Sequence, residues 1–392
     1  MAPIIEYNPF ATAVKENPYP YYAWLRREHP VYYNPHFDIW ALSRYDDIEA
    51  AARHPEVFSS AQGVGPDRGE GTSMLVQDPP VHTRLRKLVS KAFTPRMIER
   101  LTPRIQTIVD ELLDAVMAQG SFDLIQDLAY PLPVIVIAEM LGVDPEQRDN
   151  FKRWSNAIIQ GLAGSAHGYP QERIDQAWEG MSAYLSEAVE ARRDAPRDDL
   201  ITALVQAQEE RDALSLEEIL STCVLLLVAG NETTTNLIGN GALALSSHPE
   251  EGQKLRQRPE LIHTMIEEVL RFDSPVQAAF RTTTRAIAVR GTTIPADSKV
   301  ALVWGSANRD SAVFPDPDRF DIERQIERHF AFGIGIHFCL GAPLARLEAR
   351  IATATLLRRM QHIAPAPQGG LERIDNPLFR GLRHYPLVFE PA

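Results

Sequence analysis

The feature that most constrains the fold is a long apolar run in the middle of the chain, from Ile219 to Leu245. Apolar side chains occur nearly all the way round a helix drawn through this run, and such a helix must be buried on every side. Ser215 and Glu218, three positions apart, match a capping box and mark its start. The sequence therefore predicts a long central helix around which the other elements pack.

The middle of this run is polar, with the sequence Ala229-Gly-Asn-Glu-Thr-Thr-Thr235. Gly230 is a poor helix residue, and threonine hydroxyls bond to carbonyls one turn earlier, so the helix is expected to bend or widen here. Glu232 is costly inside a buried helix unless it has a partner or a chemical role. Taken alone, a polar kink whose glutamate turns to solvent explains the segment equally well.

Composition and charge restrict the class of protein. Hydrophobic residues make up 44% and charged residues 23% of the 392 positions, which is typical of a soluble globular protein. Helical periodicity dominates residues 80–286 and strand-like pieces flank it, so we expect one domain over residues 1–392, mainly α with minor β. The net charge of −12 argues against nucleic acid and acidic lipid as partners.

Targeting signals and cysteine content point to the cytoplasm. The N-terminus lacks the basic and apolar segments of a signal peptide, and no apolar run approaches the length of a membrane span. Cys223 and Cys339 are the only cysteines, so neither a disulfide framework nor a structural zinc site is expected. We therefore predict a cytoplasmic protein that does not contact a membrane.

Cys339 lies between a glycine-punctuated loop and a helical run that opens at Pro343. Gly333, Gly335 and Gly341 allow a tight backbone that approaches its neighbours closely. A thiol just before a helix N-terminus is favoured as thiolate by the free N–H groups and the helix dipole. Such a thiolate is a candidate ligand for a haem iron. The alternative is a small buried cysteine that packs as a hydrophobe.

The spacing Phe332-x-x-Gly335-x-x-x-Cys339-x-Gly341 resembles the haem-ligand loop of cytochromes P450. His337 before the cysteine, and Leu-Gly-Ala-Pro-Leu-Ala-Arg after it, are similar to the soluble bacterial members. The resemblance implies a single-domain cytochrome P450 fold. It also implies haem b, bound between the long central helix and the helix after the loop, with Cys339 as the metal ligand. Three further motifs occur in the family's order, and together they cover residues of about 78–346.

The resemblance assigns the polar centre of the long helix to oxygen activation. Ala229 and Gly230 then lie against the cofactor, the Thr233 hydroxyl holds dioxygen and a water, and Glu232 relays protons inward. Glu268 and Arg271 resemble the family's Glu-x-x-Arg, which joins an arginine of the irregular stretch before the loop. The matching residue by resemblance is Arg319, and the role of this cluster is structural.

The resemblance also supplies partners for the two haem propionates, which need cationic or N–H groups when buried. A solvated basic helix face is the alternative for the residues near position 82. The residues expected to bind the cofactor, in addition to Ala229 and Gly230, are His82, Arg86, Arg281, Phe332, Gly333, His337, Cys339 and Gly341.

These features predict a haem-thiolate monooxygenase that hydroxylates a hydrophobic small molecule, such as a terpenoid, steroid, fatty acid or aromatic compound. The chain has no dinucleotide-binding fingerprint and no cysteine cluster, so electrons from a separate ferredoxin and its reductase are expected. Surface cations at Lys87, Lys91, Arg346 and Arg350 either dock that donor or are merely solvated. A peroxygenase, a non-oxygenating P450 and a haem-based gas-binding protein remain alternatives.

The substrate pocket is expected on the side of the haem opposite Cys339. The resemblance places it among small and apolar residues, which are Leu226, Ala229, Thr233, Val276, Ala279, Phe280 and Phe379. Arg68 and His167 are the cationic candidates in the surrounding loops, and surface exposure is the expectation for both. The identity of the substrate does not follow from these residues.

Overall fold

The computed structural model describes residues 6–209 and 214–392. Its central element is the predicted long helix, which runs from Leu216 to Ser247. Both halves of the capping box form, because the Ser215 hydroxyl accepts from the Glu218 N–H at 3.1 Å and the Glu218 carboxylate accepts from the Ser215 N–H at 2.9 Å. The helix remains α-helical through Gly230, so the predicted widening is absent.

Fifteen α-helices occur within the described residues and account for most of the fold. They span Thr12–Glu16 (α1), Tyr19–Glu28 (α2), Tyr45–Arg53 (α3), Val81–Val89 (α4), Pro95–Arg100 (α5), Thr102–Met117 (α6), Pro131–Leu141 (α7), Arg148–Leu162 (α8), Gln171–Asp194 (α9), Leu200–Glu209 (α10), Leu216–Ser247 (α11), Pro249–Gln257 (α12), Ile262–Phe272 (α13), Trp304–Ala307 (α14) and Ala342–Arg359 (α15).

Twelve short strands occur within the described residues, most of them before α4 or after α13. They span Val31–Asn34 (β1), Ile39–Leu42 (β2), Phe58–Ser59 (β3), Ser121–Asp123 (β4), Ala279–Thr283 (β5), Ile287–Val289 (β6), Thr292–Ile294 (β7), Lys299–Leu302 (β8), Met360–Pro365 (β9), Glu372–Arg373 (β10), Leu382–His384 (β11) and Pro386–Pro391 (β12). The largest sheet has the order β1-β2-β8-β5-β3, in which only β2 and β8 are parallel. The other groups are β4-β12-β9, the hairpin β6-β7 and the pair β10-β11.

The predicted boundaries are confirmed in outline, with two differences. Ile287, Val289, Ile294 and Val300, with Gly291-Thr-Thr between them, predict a hairpin in the sequence; β6 and β7 form it, but Val300 belongs to the five-stranded sheet through β8. The sequence also predicts that the helix after Cys339 runs to about His362, but it ends at Arg359, because the chain continues there as strand β9.

One helical window of the described chain, Leu124–Leu141, is long and apolar enough to cross a membrane, contrary to the sequence expectation. It consists of a π-helical turn, Leu124–Ala129, followed by α7. The window is 72% buried within the fold. Its turn packs on the central helix, where the Thr235 hydroxyl donates to the Ala129 carbonyl at 3.1 Å. This segment is therefore a core element, and its apolarity reflects burial on several sides.

The five-stranded sheet separates two apolar clusters. Along β5 successive side chains point to opposite faces. Phe280 joins the aromatic cluster formed with Tyr7 and Trp24 near the N-terminus. Val300, paired with the next residue of β5, joins the cluster on the other face with Trp304. Alternate residues of β5 thus point to opposite faces of the sheet, each of which packs on its own apolar cluster.

Candidate functional site

The loop that carries Cys339 is held by a hydrogen bond within the loop and packs closely against the rest of the protein. Gly333 and Gly335 have φ of 64° and 72°, in the left-handed region that favours glycine. A Cβ on Gly335 would lie 2.6 Å from the Ala52 carbonyl oxygen, so no other residue fits there without a shift. The Cys339 N–H donates to the Phe332 carbonyl at 2.9 Å, which fixes the cysteine against the start of the loop.

Cys339 is half-buried just before α15, with Gly341 beside its sulfur. A Cβ at Gly341 would lie 4.0 Å from the Cys339 Sγ, which is an ordinary van der Waals contact. Burial raises the pKa of the Cys339 thiol, although the Gly341 N–H and the Arg86 charge act in the opposite direction. The N–H groups at the start of the helix thus favour the thiolate, as the sequence predicts, but burial outweighs them. A metal cation deprotonates a coordinated thiol outright.

Two histidines meet beside this loop with buried nitrogens that have no partner. The rings of His82 and His337 lie 4.4 Å apart between centroids. His82 Nδ1 and His337 Nε2 are both buried and make no hydrogen bond in the described structure. Burial, together with the charges of Arg281 and His82, lowers the pKa of His337 to about 3. Unpaired buried ring nitrogens of this kind indicate a polar ligand.

Two arginines complete the cluster, and neither has an ion pair within residues 6–209 and 214–392. Arg281 is buried and donates to the Phe280 carbonyl at 2.7 Å, and burial lowers its pKa to about 10. Arg86 donates to the Phe338 carbonyl at 2.5 Å. Four nitrogen-bearing groups without a bound carboxylate, next to a cysteine, fit a dianionic group such as the two propionates of haem.

The middle of α11 is the second candidate part of the site, and here a helix at the centre of the molecule has an accessible face. Ala229 is exposed, and Gly230, Glu232 and Thr233 are half-buried, whereas Leu226 and Asn231 are buried. The accessible residues thus lie on a helix whose other sides are buried by the fold. The Thr233 hydroxyl donates to the Ala229 carbonyl at 2.8 Å, the back-bond that the threonine-rich segment predicts.

Glu232 is the acidic group of this face. Loss of hydration raises the pKa of the Glu232 carboxyl, and the positive charges of Lys152 and Arg383 only partly oppose this. Lys152 is itself held by Gln126, whose Oε1 accepts from its amine at 2.6 Å. A carboxyl with a raised pKa accepts and gives up a proton nearer neutral pH than an exposed glutamate does.

The residues predicted for the substrate pocket divide into two groups. Ala279 is half-buried on the same face of β5 as Arg281, and Val276 and Phe379 are joined by a β-bridge. Phe280, in contrast, is 2% exposed within the N-terminal aromatic cluster. Its placement in the pocket is therefore wrong, because adjacent strand residues point to opposite faces.

The segment from Gln62 to Arg68 is tied to the turn before β8. Arg68 donates to the Asp297 side chain and carbonyl, both at 2.6 Å. Lys299, which is 5% exposed, donates to the Gln62 carbonyl at 2.7 Å and the Gly63 carbonyl at 3.1 Å. The sequence prediction omitted Lys299, although a lysine at the start of the apolar Val-Ala-Leu-Val strand is a visible signal.

Both cationic candidates for substrate binding have a partner within the protein. Arg68 is bound to Asp297, as described above. His167 Nε2 contacts the Gln160 Oε1 at 2.8 Å, and burial lowers the pKa of His167. Both side chains are thus engaged with the protein itself.

A buried ion pair joins α13 to the irregular chain before the loop. Arg271 is fully buried and donates to both oxygens of Glu268, at 2.7 and 2.8 Å. Its other N–H groups donate to the carbonyls of Asn308 and Pro317. Arg271 therefore bonds the chain on both sides of residue 310.

The third member of this cluster differs from the sequence prediction. Arg324 Nε donates to Glu268 at 3.3 Å, and its side chain is largely buried. The side chain of Arg319 is 64% exposed near Asp321, and only its carbonyl contacts Arg271. The assignment of Arg319 to the cluster is wrong, because the coil turns its backbone and not its side chain toward Glu268.

Comparisons with known proteins identify the family of the chain and its fold. A family model described as Cytochrome P450 matches residues 3–384. Cytochrome P450 107B1 of Saccharopolyspora erythraea is 43% identical over 369 residues, which cover 89% of each chain. Vitamin D(3) 25-hydroxylase of Pseudonocardia autotrophica is 40% identical over 400 residues, which cover 98% of this chain and 97% of that protein. The crystal structure of CYP109E1 from Bacillus megaterium in complex with testosterone superposes with a TM-score of 0.91 at 37% identity, over 96% of this chain and 99% of that one.

Proposed function

This chain belongs to the cytochrome P450 family, and we propose that it hydroxylates a neutral hydrophobic small molecule in the cytoplasm with electrons from a ferredoxin. Members of this family are haem-thiolate oxidoreductases of the monooxygenase type, with haem b as cofactor. The fold is the cytochrome P450 fold. The observation that carries the proposal is the combination of Cys339 with four nitrogen-bearing side chains that lack a bound carboxylate.

In this proposal the residues around the loop hold the cofactor. Cys339 would ligate the iron, and His82, Arg86, Arg281 and His337 would hold the propionates. Gly341 would lie beside the sulfur. When bound, haem with a thiolate ligand supplies dioxygen activation and insertion of oxygen into unactivated C–H bonds.

The accessible face of α11 supplies protons in this proposal. The Thr233 hydroxyl, bonded to the Ala229 carbonyl, would orient a water in the site. Glu232 would load that water with protons, because its raised pKa keeps part of its carboxyl population protonated nearer neutral pH. A peroxygenase or a gas-binding protein has no need of such a pair.

The substrate is proposed to be neutral because the pocket offers no free cation in the part of the chain that the structure describes. Leu226, Ala229, Ala279 and Phe379 are apolar, and Arg68 and His167 have partners within the protein. A carboxylate buried there would lose hydration without gaining an ion pair. The relatives crystallised or named with testosterone and vitamin D3 make a sterol-sized molecule the first choice of probe.

The electron donor is proposed to be a ferredoxin supplied by its reductase. Its docking surface would be the face that carries Lys87 and Lys91, which are exposed. Arg346 and Arg350 are less suited to this role, because Arg346 is bound to Glu267 and Arg350 contacts the His263 ring at 2.6 Å. Positive side chains on a protein of net charge −12 would orient an acidic partner.

The charge preference of the pocket is tested with probes matched in length. Hexadecan-1-ol is expected to bind the haem-loaded protein at least about tenfold more tightly than hexadecanoic acid at pH 7.5, because only the acid carries an unpaired carboxylate. Binding is measured by the substrate-induced spin-state shift, with testosterone as a third, bulkier neutral probe. Tighter binding of the acid than of the alcohol would contradict a neutral substrate.

The electron route is tested separately. Ferredoxin, its reductase and dioxygen are expected to give more hydroxylated product from the best-binding probe than hydrogen peroxide alone. Product yields are compared by mass spectrometry at equal enzyme concentration. Faster turnover with peroxide than with the reductase system would instead identify a peroxygenase.

A further inference from the structure

Arg346, in the second turn of α15, is held in a fixed position by Glu267 of α13. Its Nε and Nη2 donate to the two carboxylate oxygens at 2.7 and 2.8 Å, which is a bidentate ion pair. Both side chains are about 30% exposed. A planar guanidinium bound through two parallel hydrogen bonds keeps one orientation, which a lysine amine in its place would not.

The Glu267 carboxylate is itself held by a buried histidine. His329 is 7% exposed, and its Nε2 lies 3.1 Å from the Glu267 Oε2. Its Nδ1 accepts the Ala331 N–H at 3.2 Å, so the ring proton is on Nε2 and points at the carboxylate. Although burial opposes ionisation, the hydrogen bonds from His329 and Arg346 lower the pKa of Glu267 to about 2. The carboxylate is therefore ionised at any working pH.

The held guanidinium lies against the aromatic ring that backs the cysteine. The Arg346 Cζ is 4.6 Å from the centre of the Phe332 ring. The Phe332 carbonyl in turn accepts the Cys339 N–H at 2.9 Å. One continuous contact chain thus runs from Glu267 through Arg346 and Phe332 to Cys339.

We propose that Arg346, fixed by Glu267 over Phe332, is a positioning residue whose charge raises the reduction potential of the cofactor ligated by Cys339. This inference rests on the proposed function. Reduction adds one electron to the iron–thiolate unit, and a nearby positive charge stabilises the more negative state. Glu267, the counter-charge of Arg346, is ionised as well, so removal of the guanidinium leaves a carboxylate uncompensated beside the loop and disfavours reduction in the same direction.

The test is the midpoint potential of the haem-loaded protein, measured by dye-mediated titration with dithionite. Arg346→Gln is expected to make reduction about tenfold less favourable, which corresponds to about 59 mV lower for a one-electron couple. Arg350→Gln is the matched control, because it removes the same charge one helical turn later, from a residue that contacts His263 instead of Glu267. The control is expected to change the equilibrium by less than about twofold.

Two further measurements separate the possible outcomes. Arg346→Lys keeps the positive charge but loses the bidentate hydrogen bonds to Glu267. Its midpoint potential is expected to fall too, but by less than that of Arg346→Gln. The carbon monoxide difference spectrum of each variant reports the thiolate ligand, so a normal spectrum with a lowered potential supports the inference. An unchanged potential in Arg346→Gln, or equal shifts in the Arg346 and Arg350 variants, would overturn it. If the unsubstituted protein gave no thiolate signal in the carbon monoxide difference spectrum, the proposed function would be refuted instead.

Discussion

Replacement of Arg271 by alanine is expected to lower the free energy of unfolding by about 3–5 kcal/mol, the usual cost of removing one partner of a buried ion pair. The loss is large because Glu268 is fully buried and would lose its bidentate partner. The carbonyls of Asn308 and Pro317 would also lose their donor. Denaturant unfolding of the haem-loaded protein, followed by circular dichroism, measures the change.

Arg319 provides the matched control, because the sequence predicts the same role for it and the structure does not. Its side chain is 64% exposed, so Arg319→Ala is expected to change the free energy of unfolding by less than about 0.5 kcal/mol. Arg324→Ala removes a hydrogen bond to Glu268 and is expected to cost about 1.5–3 kcal/mol. Equal losses for the Arg319 and Arg271 variants would contradict the structural assignment.

Replacement of Thr233 by alanine is expected to leave cofactor binding unchanged and to reduce the yield of hydroxylated product per electron about tenfold or more. The hydroxyl that orients the proton-donating water would be lost, and reducing equivalents would leave as hydrogen peroxide. The measurement is the ratio of product to consumed reductant, with peroxide quantified in the same reaction. The carbon monoxide difference spectrum should stay as in the unsubstituted protein.

Two variants separate this chemical role from a helix effect. Thr222 makes the same kind of back-bond, donating to the Glu218 carbonyl at 2.7 Å, and it lies three turns before Thr233 on α11. Thr222→Ala should therefore retain full coupling. Thr233→Ser keeps the hydroxyl and should restore most of the yield. Unchanged coupling in Thr233→Ala would show that the proposed proton delivery is wrong.

The central helix and the cysteine loop were predictable because local chemistry determines both. Capping at Ser215 and the apolar run after it depend on residues close in sequence. The positive φ of Gly333 and Gly335 likewise follows from the residue type that such backbone requires. Structure that depends on residues close together in the sequence is thus the part that the sequence predicts best.

The wrong choice of Arg319 has a different cause. Residues 306–330 have no regular period, so neither a helical nor a strand register decides which arginine turns inward. The side chain that reaches Glu268 is set by where the coil crosses α13, which is a tertiary property. An irregular segment with several arginines cannot be resolved at the level of single side chains from its sequence.

The placement of Phe280 in the substrate pocket is an error that the strand pattern of the sequence could have prevented. Arg281 was predicted to turn toward the cofactor, and strand side chains alternate, so the neighbouring Phe280 had to point away. The structure places Phe280 with Tyr7 and Trp24 on the opposite face of the sheet. Predictions for adjacent strand residues should therefore be made together.

The charge state of Cys339 shows the limit of local electrostatics. The free N–H groups before α15 do lower the pKa of the thiol, as the helix position predicts. Burial, which depends on the whole fold, outweighs them and raises the pKa overall. The position of Cys339 in the sequence gives the direction of one contribution to its pKa, but not the direction of the total shift.

The most direct test of the account is the difference spectrum of the dithionite-reduced protein with and without carbon monoxide. A strongly red-shifted Soret band is expected, because Cys339 would ligate the iron as a thiolate. Cys339→Ser should lose this band while the fold is retained, which circular dichroism would confirm. A band at the position of histidine-ligated haem proteins in the unsubstituted protein, or no haem at all, would contradict the assignment of Cys339 and with it the proposed monooxygenase activity.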